Sequence, residues 1–324
     1  MLYPLTFRPI FKERVWGGRD LERLYHKPLP ASSLIGESWE IADRPGDISL
    51  IDNGPLAGRD LRWLMEQHRA ELLGAATAPQ GKFPLLIKIL DARQTLSVQV
   101  HPPARQATRL GGEPKTELWY IAAAAPDAKL FVGLKRGVSR AHFETKIRNG
   151  SVAECLHSIS VKAGDAMFLP SGRVHAIGAG LVIFEIQQNS DTTYRVFDWN
   201  RAGLDGKPRP LHVAESLASI DFDDFEPSVL PVQVYNSSQA RTRPLVSDPL
   251  FTVELAETQA STGFPLKQGR MQILGGLSGR CTIRSGPSAV SLGAGQFCLL
   301  PACLPQVLIQ SEGSASFLRI EAGD

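Results

Sequence analysis

Cysteine is scarce in this sequence, and so is net charge of one sign. Only four cysteines occur among 324 residues, and none has the CxxC spacing of zinc ribbons or redox motifs. All four lie among apolar neighbours, so we expect buried reduced thiols rather than disulfides or metal ligands. The formal net charge of +2 gives no strong field toward nucleic acid or a membrane surface.

Long hydrophobic runs are also missing. No stretch approaches the roughly 20 apolar residues of a membrane span, and the N-terminal MLYPLTFRPIFKERVWGG has no apolar core of signal-peptide length. We therefore expect a cytoplasmic protein with no membrane and no nucleic-acid partner. For its oligomeric state we expect a monomer or a homodimer.

Short strand-like runs, separated by glycine and proline, dominate what is present. Typical runs are FPLLIKILD at 83–91 and LVIFEIQ at 181–187. Helical patterning occurs at 58–73, 139–157 and 211–219. The pattern predicts a mainly β protein with a small helical portion packed on its first part.

One internal similarity organises the chain. Residues 163–170 read AGDAMFLP and residues 294–301 read AGQFCLLP, and each is followed by another apolar strand. A turn glycine, a short strand and a closing proline, repeated in this way, predict two β-barrels in tandem. We place a catalytic, metal-binding domain at 1–225, with helical insertions at 58–73 and 139–157. A barrel-like domain without metal ligands follows at 226–324.

The segment SVQVHPP at 97–103 carries an unusual polar face. Successive side chains of a strand point to opposite faces, so Ser97, Gln99 and His101 share one face. Burying three such groups without partners costs several kcal/mol. These three side chains must therefore contact a hydrogen-bonding partner or a bound ligand.

Glu117 in KTELWYI and His175 in the glycine-rich PSGRVHAIGAG loop extend this set. One amide, one carboxylate and two imidazoles suit zinc or another divalent ion, with a position left open for substrate. From spacing alone, a metal site and an ordinary satisfied polar face both remain open.

Charged residues also interrupt apolar strands. Lys88 lies within LLIKIL and Glu185 within LVIFEIQQ, and a buried charge persists only if it is paired or used. Arg195 and Arg201 follow in QNSDTTYRVFDWNR, where fixed cations could clamp a phosphate or carboxylate. Lys207 and Arg209, just beyond, are typical of a solvated basic loop.

These motifs, in this order, resemble the type I phosphomannose isomerases, in particular the shorter bacterial form. The resemblance rests on SVQVHPP, KTELWY, GRVHAIG and QQNSDTTYRVFDW, with RPIFKERVWGG and IGESWEIAD near the N-terminus. It implies tandem cupin (jelly-roll) barrels with a small helical portion on the first. It also implies one Zn²⁺ per chain, other divalent ions being possible, and interconversion of mannose 6-phosphate and fructose 6-phosphate.

The resemblance also implies roles for particular residues. The metal ligands fall on Gln99, His101, Glu117 and His175, and the catalytic arginine falls on Arg195. Residues of the substrate pocket fall on Ser97, Lys88, Lys115 and Glu185, with Trp16 and Glu37 near its mouth.

Such a reaction moves a proton between C2 and C1 through an enediol, and a positioned base contributes typically about 100- to 10,000-fold. The sequence leaves the base open between Lys115, Glu185 and a hydroxide on the metal. We expect Arg195 to act on the charge that develops on the substrate oxygens or on the phosphate, with Arg201 and Ser97 helping to hold the phosphate. Two other interpretations stay open: a cupin that binds a sugar phosphate without turnover, and a metal-dependent cupin of different chemistry, such as a dioxygenase.

Overall fold

The computed structural model describes residues 1–237, 240–258, 264 and 266–324. Its helices are α1 Asp20–Tyr25, α2 Leu61–Gln67, α3 Arg69–Leu73, α4 Ala104–Ala107, α5 Arg140–Arg148 and α6 Val213–Ser219, with short 3-10 turns at Pro79–Gly81, Thr108–Leu110 and Val152–Cys155. The first strands are β1 Ile10–Gly18, β2 Ile35–Ile41, β3 Asp43–Arg44, β4 Asp47–Ile48, β5 Leu85–Ala92, β6 Val98–Val100, β7 Glu117–Ala124, β8 Lys129–Leu134, β9 Leu156–Ser160, β10 Ala166–Leu169, β11 His175–Ile177, β12 Leu181–Gln188 and β13 Tyr194–Phe197. The remaining strands are β14 Tyr235–Asn236, β15 Ala240–Ser247, β16 Phe251–Thr258, β17 Gln272–Ser278, β18 Arg280–Ser285, β19 Ser288–Gly293, β20 Phe297–Leu300, β21 Leu308–Ser311 and β22 Ala315–Ala322. The predicted mainly β architecture is confirmed.

All three predicted helical regions contain helix. In the first, α2 begins after Asp60, whose carboxylate accepts the Trp63 N–H at 2.7 Å, a normal N-cap. In the second, α5 begins after Ser139, whose hydroxyl accepts the His142 N–H. It ends at Asn149 of the Asn-Gly pair, where glycine permits the chain to turn away.

The chain forms two compact units. The central unit comprises residues 11–38 and 88–230, and the flanking unit comprises residues 1–10, 39–87 and 231–324. The chain passes from one unit to the other within β2 and again within β5.

The central unit has a core between two β-sheet layers. One sheet has the strand order β1-β2-β5-β12-β7-β10 and the other β13-β6-β11-β8-β9. Side chains from both sheets, including Leu90, Trp119, Val132 and Ile177, form one buried cluster. A second cluster joins Val98 and other β6 and β13 residues to Phe143 of α5.

The flanking unit has the orders β14-β15-β16-β22-β17-β20 and β19-β18-β21 around its own buried cluster. Helices α2 and α3 belong to this unit, although the sequence placed 58–73 as an insertion in a domain at 1–225. The backbone gives the reason, since the carbonyls of Glu71 and Leu72 accept the N–H groups of Cys303 and Ala302, each at 2.9 Å. Such bonds join residues far apart in sequence and leave no local pattern.

The repeated motif occupies equivalent places in the two units. Strands β10 and β20 each lie at a sheet edge, next to β7 and β17, with β12 and β22 one strand further in. Gly164 and Gly295 both have left-handed backbone, with φ of 91° and 73°, as their turns require. The tandem jelly-roll arrangement is therefore confirmed, while a domain boundary at 225/226 stays a prediction.

Three cysteines, Cys155, Cys281 and Cys298, are buried and free, as expected. The prediction was wrong for Cys303, which is exposed because it lies in a turn where Ala302 and Leu304 take the buried positions. Among the helices described, none has the length and apolar character needed to cross a membrane.

Candidate active site

The central unit contains a cavity of about 520 Å³. It is lined by most of the predicted pocket residues: Trp16, Glu37, Lys88, Ser97, Gln99, Lys115, Glu185 and Arg195. His101, Glu117 and His175 are buried beside it, with exposed fractions of 2%, 0% and 1%. Of the predicted substrate residues, Arg201 is not in the cavity wall.

Strand register explains why distant residues meet here. Gln99 lies directly opposite His175 on β11 and Arg195 on β13, because β6 runs between these two strands. Val98 and Val100 alternate with Gln99 and pack into the buried cluster on the other face. The polar face expected for SVQVHPP is therefore the face that borders the cavity.

His101, Glu117 and His175 form a compact cluster whose candidate ligand atoms all lie within 4.8 Å of one another. His101 Nε2 is 3.6 Å from Glu117 Oε2, and His175 Nε2 is 3.5 Å from Glu117 Oε1. The Gln99 side-chain amide lies 3.3 Å from His175 Nε2. Glu117 begins β7, so the sheet opposite β6 and β11 supplies the carboxylate.

The outer nitrogens of both imidazoles are already used. His101 Nδ1 lies 2.8 Å from the Thr192 carbonyl and His175 Nδ1 lies 2.9 Å from the Arg173 carbonyl. These bonds place the proton on Nδ1 and leave Nε2 as a lone-pair donor facing Glu117.

Among the described residues, His101 Nε2 and Glu117 Oε1 have no hydrogen-bond partner although they are buried. Buried polar atoms without partners are costly, and a divalent cation would satisfy both. The donor set therefore fits a metal ion, which Gln99, His101, Glu117 and His175 would hold.

Electrostatics keeps these side chains in the forms that bind metal. Burial lowers the pKa of His175 to about 3 and also lowers the pKa of His101, so both rings are neutral. Burial would raise the pKa of Glu117, but the Lys115 ammonium holds it well below its usual range. Metal ligands must be deprotonated, which is the state favoured here.

Lys115 is committed to the same carboxylate. Its Nζ lies 3.0 Å from Glu117 Oε2, and both side chains are almost fully buried. Burial would lower the pKa of Lys115, but the carboxylates of Glu117 and Glu185 raise it above its usual value. The ammonium form is therefore favoured.

A second buried ion network lies beside the cluster. Lys88 Nζ is 3.4 Å from Glu185 Oε2 and 3.7 Å from Glu37 Oε2. Glu185 Oε1 accepts a hydrogen bond from Trp119 Nε1 at 3.0 Å, and Glu37 Oε1 accepts one from Arg14 Nε at 2.8 Å. The charges that interrupt β5 and β12 are thus paired at the cavity wall, as expected for buried charges.

Two arginines are organised around one buried carboxylate, Asp198, and Arg195 lies near them. Arg201 donates to Asp198 Oδ1 and to the Thr95 carbonyl, and Arg209 donates to both Asp198 oxygens. Arg209, which the sequence favoured as a solvated loop residue, lines the cavity and is partly buried. Arg195 donates from Nη1 to the Pro210 carbonyl.

Arg195 also lines the cavity. Its Nε is buried and has no partner among the described residues. Burial lowers the pKa of Arg195, and neighbouring Arg209 lowers it further. A concentration of positive charge of this kind at a cavity wall favours an anion.

Sequence reasoning missed Arg14, Asp191 and Arg209 as cavity residues. Arg14 lies inside the RPIFKERVWGG motif, two residues before the predicted pocket residue Trp16. Asp191 lies in the QQNSDTTYRVFDW stretch. For Arg209 the available signal was its position just beyond a strand exit rich in arginine.

Taken together, two jelly-roll barrels and a buried His/Glu cluster beside a charged cavity define a cupin with a candidate metal centre. Comparison with known proteins then identifies the family. Residues 5–128 match the family model for the phosphomannose isomerase type I catalytic domain.

Relatives match over nearly the whole chain. A probable mannose-6-phosphate isomerase of Bacillus subtilis, GmuF, is 36% identical over 98% of this chain and 99% of its own. A mannose-6-phosphate isomerase of Streptococcus mutans is 36% identical over 93% of both chains. The crystal structure of the mannose 6-phosphate isomerase from Bacillus subtilis superposes with a TM-score of 0.90 at 29% identity, covering 98% of this chain and 99% of that chain. This chain belongs to the type I phosphomannose isomerase family.

Proposed function

We propose that this chain is a metal-dependent aldose-ketose isomerase that interconverts mannose 6-phosphate and fructose 6-phosphate through an enediol. The observation that carries the proposal is the cluster of His101, Glu117 and His175, with unpartnered ligand atoms, beside a cavity walled by buried acid, base and arginine side chains. The names of the relatives, which span almost the full chain, support this substrate pair.

We assign the metal as Zn²⁺, one per chain, held by Gln99, His101, Glu117 and His175. Two neutral imidazoles with one carboxylate and one amide suit zinc, although manganese, cobalt or iron would also fit. When bound, the ion supplies Lewis-acid chemistry that stabilises negative charge on the substrate oxygens.

Arg195 is assigned to the negative charge of the substrate, either at the phosphate or at the reacting oxygens. Its half-buried guanidinium strengthens any such bond, because charged hydrogen bonds are stronger where water is excluded. Arg209 lies beside it at the cavity wall, and Asp198 fixes Arg209 and Arg201 together. Arg201 then acts by holding Asp198, while Ser97 adds a hydroxyl at the cavity wall. Binding the phosphate orients C1 and C2 for reaction.

Glu185 is assigned as the base that takes the C2 proton and returns it to C1. It is a carboxylate in the cavity wall whose Oε1 is fixed by Trp119 and whose Oε2 lies within 3.4 Å of Lys88. Lys115 is instead held on Glu117, which favours a role as a fixed positive charge. Trp16 and Glu37 form the adjoining wall, with Glu37 held by Arg14.

The test is isomerisation of mannose 6-phosphate in a coupled assay for fructose 6-phosphate. The purified protein is measured as isolated, after chelation, and after return of Zn²⁺, Mn²⁺ or Co²⁺ separately. Loss and recovery of activity support the proposal, and the ion that restores most activity tests the zinc assignment. Metal binding without turnover of any hexose phosphate would instead favour a non-catalytic sugar-phosphate-binding cupin.

The same proposal includes a cytoplasmic location, a small-molecule partner alone, and a monomer or homodimer. The near-zero net charge of +2 supports the absence of a nucleic-acid or membrane partner. Light scattering of the purified protein distinguishes monomer from dimer, and cell fractionation tests the location.

A further inference from the structure

The flanking unit has a cavity of its own, of about 270 Å³. Its wall includes Gln272 at the start of β17, Gln306 after the proline of the AGQFCLLP repeat, and apolar side chains such as Leu266 and Leu304. The volume corresponds to about nine water molecules, a size that suits one small ring rather than an oligomer.

Strand register makes this cavity the counterpart of the active-site cluster. Glu117 lies opposite Leu169, the residue before the proline of the first repeat, and Gln272 lies opposite Leu300, the residue before the proline of the second. Gln272 therefore holds the position of Glu117. Gln306 follows its proline at the same spacing as His175 follows Pro170.

Gln272 has the property expected of a ligand contact. Its side chain is only 2% exposed, and its Nε2 donates to the Lys267 carbonyl at 2.7 Å. That bond leaves Oε1 as the acceptor, and this buried atom has no partner among the described residues. A group that donates a hydrogen bond would satisfy it.

The charged residues around the cavity do not favour an anionic ligand. Lys267 Nζ is paired with Glu321 Oε2 at 3.0 Å, and Arg270 is paired with Asp324. Among the described residues of the wall, both cations are thus neutralised by neighbouring carboxylates. The other polar groups of the wall are amides, and the rest of it is largely apolar, a combination that suits hydroxyl groups on a hydrocarbon ring.

We propose that the second barrel binds an uncharged sugar of monosaccharide size in this cavity, with Gln272 Oε1 accepting a hydroxyl hydrogen bond. The site is separate from the isomerase site and does not depend on turnover. The second barrel would then keep a ligand pocket where the first keeps its metal cluster.

The test is methyl NMR of the full-length protein titrated with D-mannose, D-fructose or inorganic phosphate. The methyls of Leu266, Leu304 and Val307 report on this cavity, and those of Leu90 and Ile177 report on the active-site cavity. Saturable shifts of the first group with sugar support the proposal. Shifts confined to the second group, or shifts of the first group with phosphate and not with sugar, overturn it.

Gln272→Leu should weaken sugar binding at this site by about tenfold, the usual effect of removing a buried hydrogen-bond acceptor. Its isomerase activity should match that of the wild type. Because this variant also loses the bond to Lys267, Val307→Trp provides a second one that fills the cavity while keeping Gln272. Wild-type affinity in both folded variants would refute the site.

Discussion

The pairing of Lys115 with Glu117 permits a quantitative prediction about the stability of the metal-free protein. The Nζ to Oε2 distance is 3.0 Å, and the side chains are 4% and 0% exposed. Removing one member of a buried ion pair leaves an uncompensated charge, at a cost of about 3 to 5 kcal/mol. Replacing both members removes the charge imbalance altogether.

We therefore expect Glu117→Gln to lower the free energy of unfolding of the metal-free protein by about 3 kcal/mol, the lower end of that range. The lower value applies because the carboxylates of Glu185 and Asp191 still attract Lys115. Lys115→Met should cost a similar amount. In the double variant, the loss in free energy of unfolding should be smaller than the sum of the two single-variant losses, by at least about 2 kcal/mol.

The assay is denaturant unfolding in the presence of a chelator, with tryptophan fluorescence as the signal. Trp16, Trp119 and Trp199 all lie in the central unit. The matched control is Glu144→Gln, which breaks an exposed pair with Arg140 at the same 3.0 Å separation. That change should cost under about 0.5 kcal/mol. Additive losses in the double variant, or a Glu117→Gln loss no larger than the control, would refute the reasoning.

Three further predictions concern activity, metal and pH. Arg195→Ala should lower turnover by about 100-fold or more with unchanged metal content, because it removes a charged donor from the cavity. His101→Ala should lose bound metal and activity together, as measured by metal analysis and the coupled assay. Asp91 is buried, which raises its pKa to about 6, so its ionisation destabilises the fold as pH rises from about 4 to 7. Asp91→Asn should therefore gain stability relative to the wild type across that range, by up to about 3 kcal/mol.

For each of these three predictions, one result would contradict the reasoning. Loss of metal in Arg195→Ala would mean that this arginine supports the cluster rather than the substrate. Full activity in a metal-free His101→Ala variant would remove the metal site from the mechanism. A stability difference between Asp91→Asn and wild type that does not change with pH would show that Asp91 does not titrate in this range. In that case the hydrogen bond from the Asp20 N–H to the Asp91 carboxylate, at 2.6 Å, would account for the burial of an ionised Asp91.

Local pattern was sufficient for much of the fold. Alternation along SVQVHPP predicted which side chains of β6 face the cavity, because period-two alternation is a property of any strand. Helical periodicity predicted the helices, since this signal acts within a few residues. The repeated AGxxxxLP motif predicted two barrels, because the same turn and edge strand were needed twice.

The composition of the candidate metal cluster was also available from sequence. Four polar residues interrupted buried strands or occupied a loop between them, and such residues need partners. Their ordered motifs resembled one enzyme family, and the chain belongs to that family. Lys88 and Glu185 were recognisable for the same reason, as charges inside apolar strands.

Only the tertiary structure decided which of these groups meet and which cations reach the cavity. Strand register set Gln99 opposite His175 and Arg195, a pairing that depends on sheet order and not on any local signal. Asp198 binds both Arg201 and Arg209, yet of these two only Arg209 lines the cavity. Likewise, residues 58–73 join the flanking unit through backbone bonds to residues more than 200 positions away. Such long-range contacts are selected by the packing of the whole chain, so their partners cannot be inferred from either segment alone.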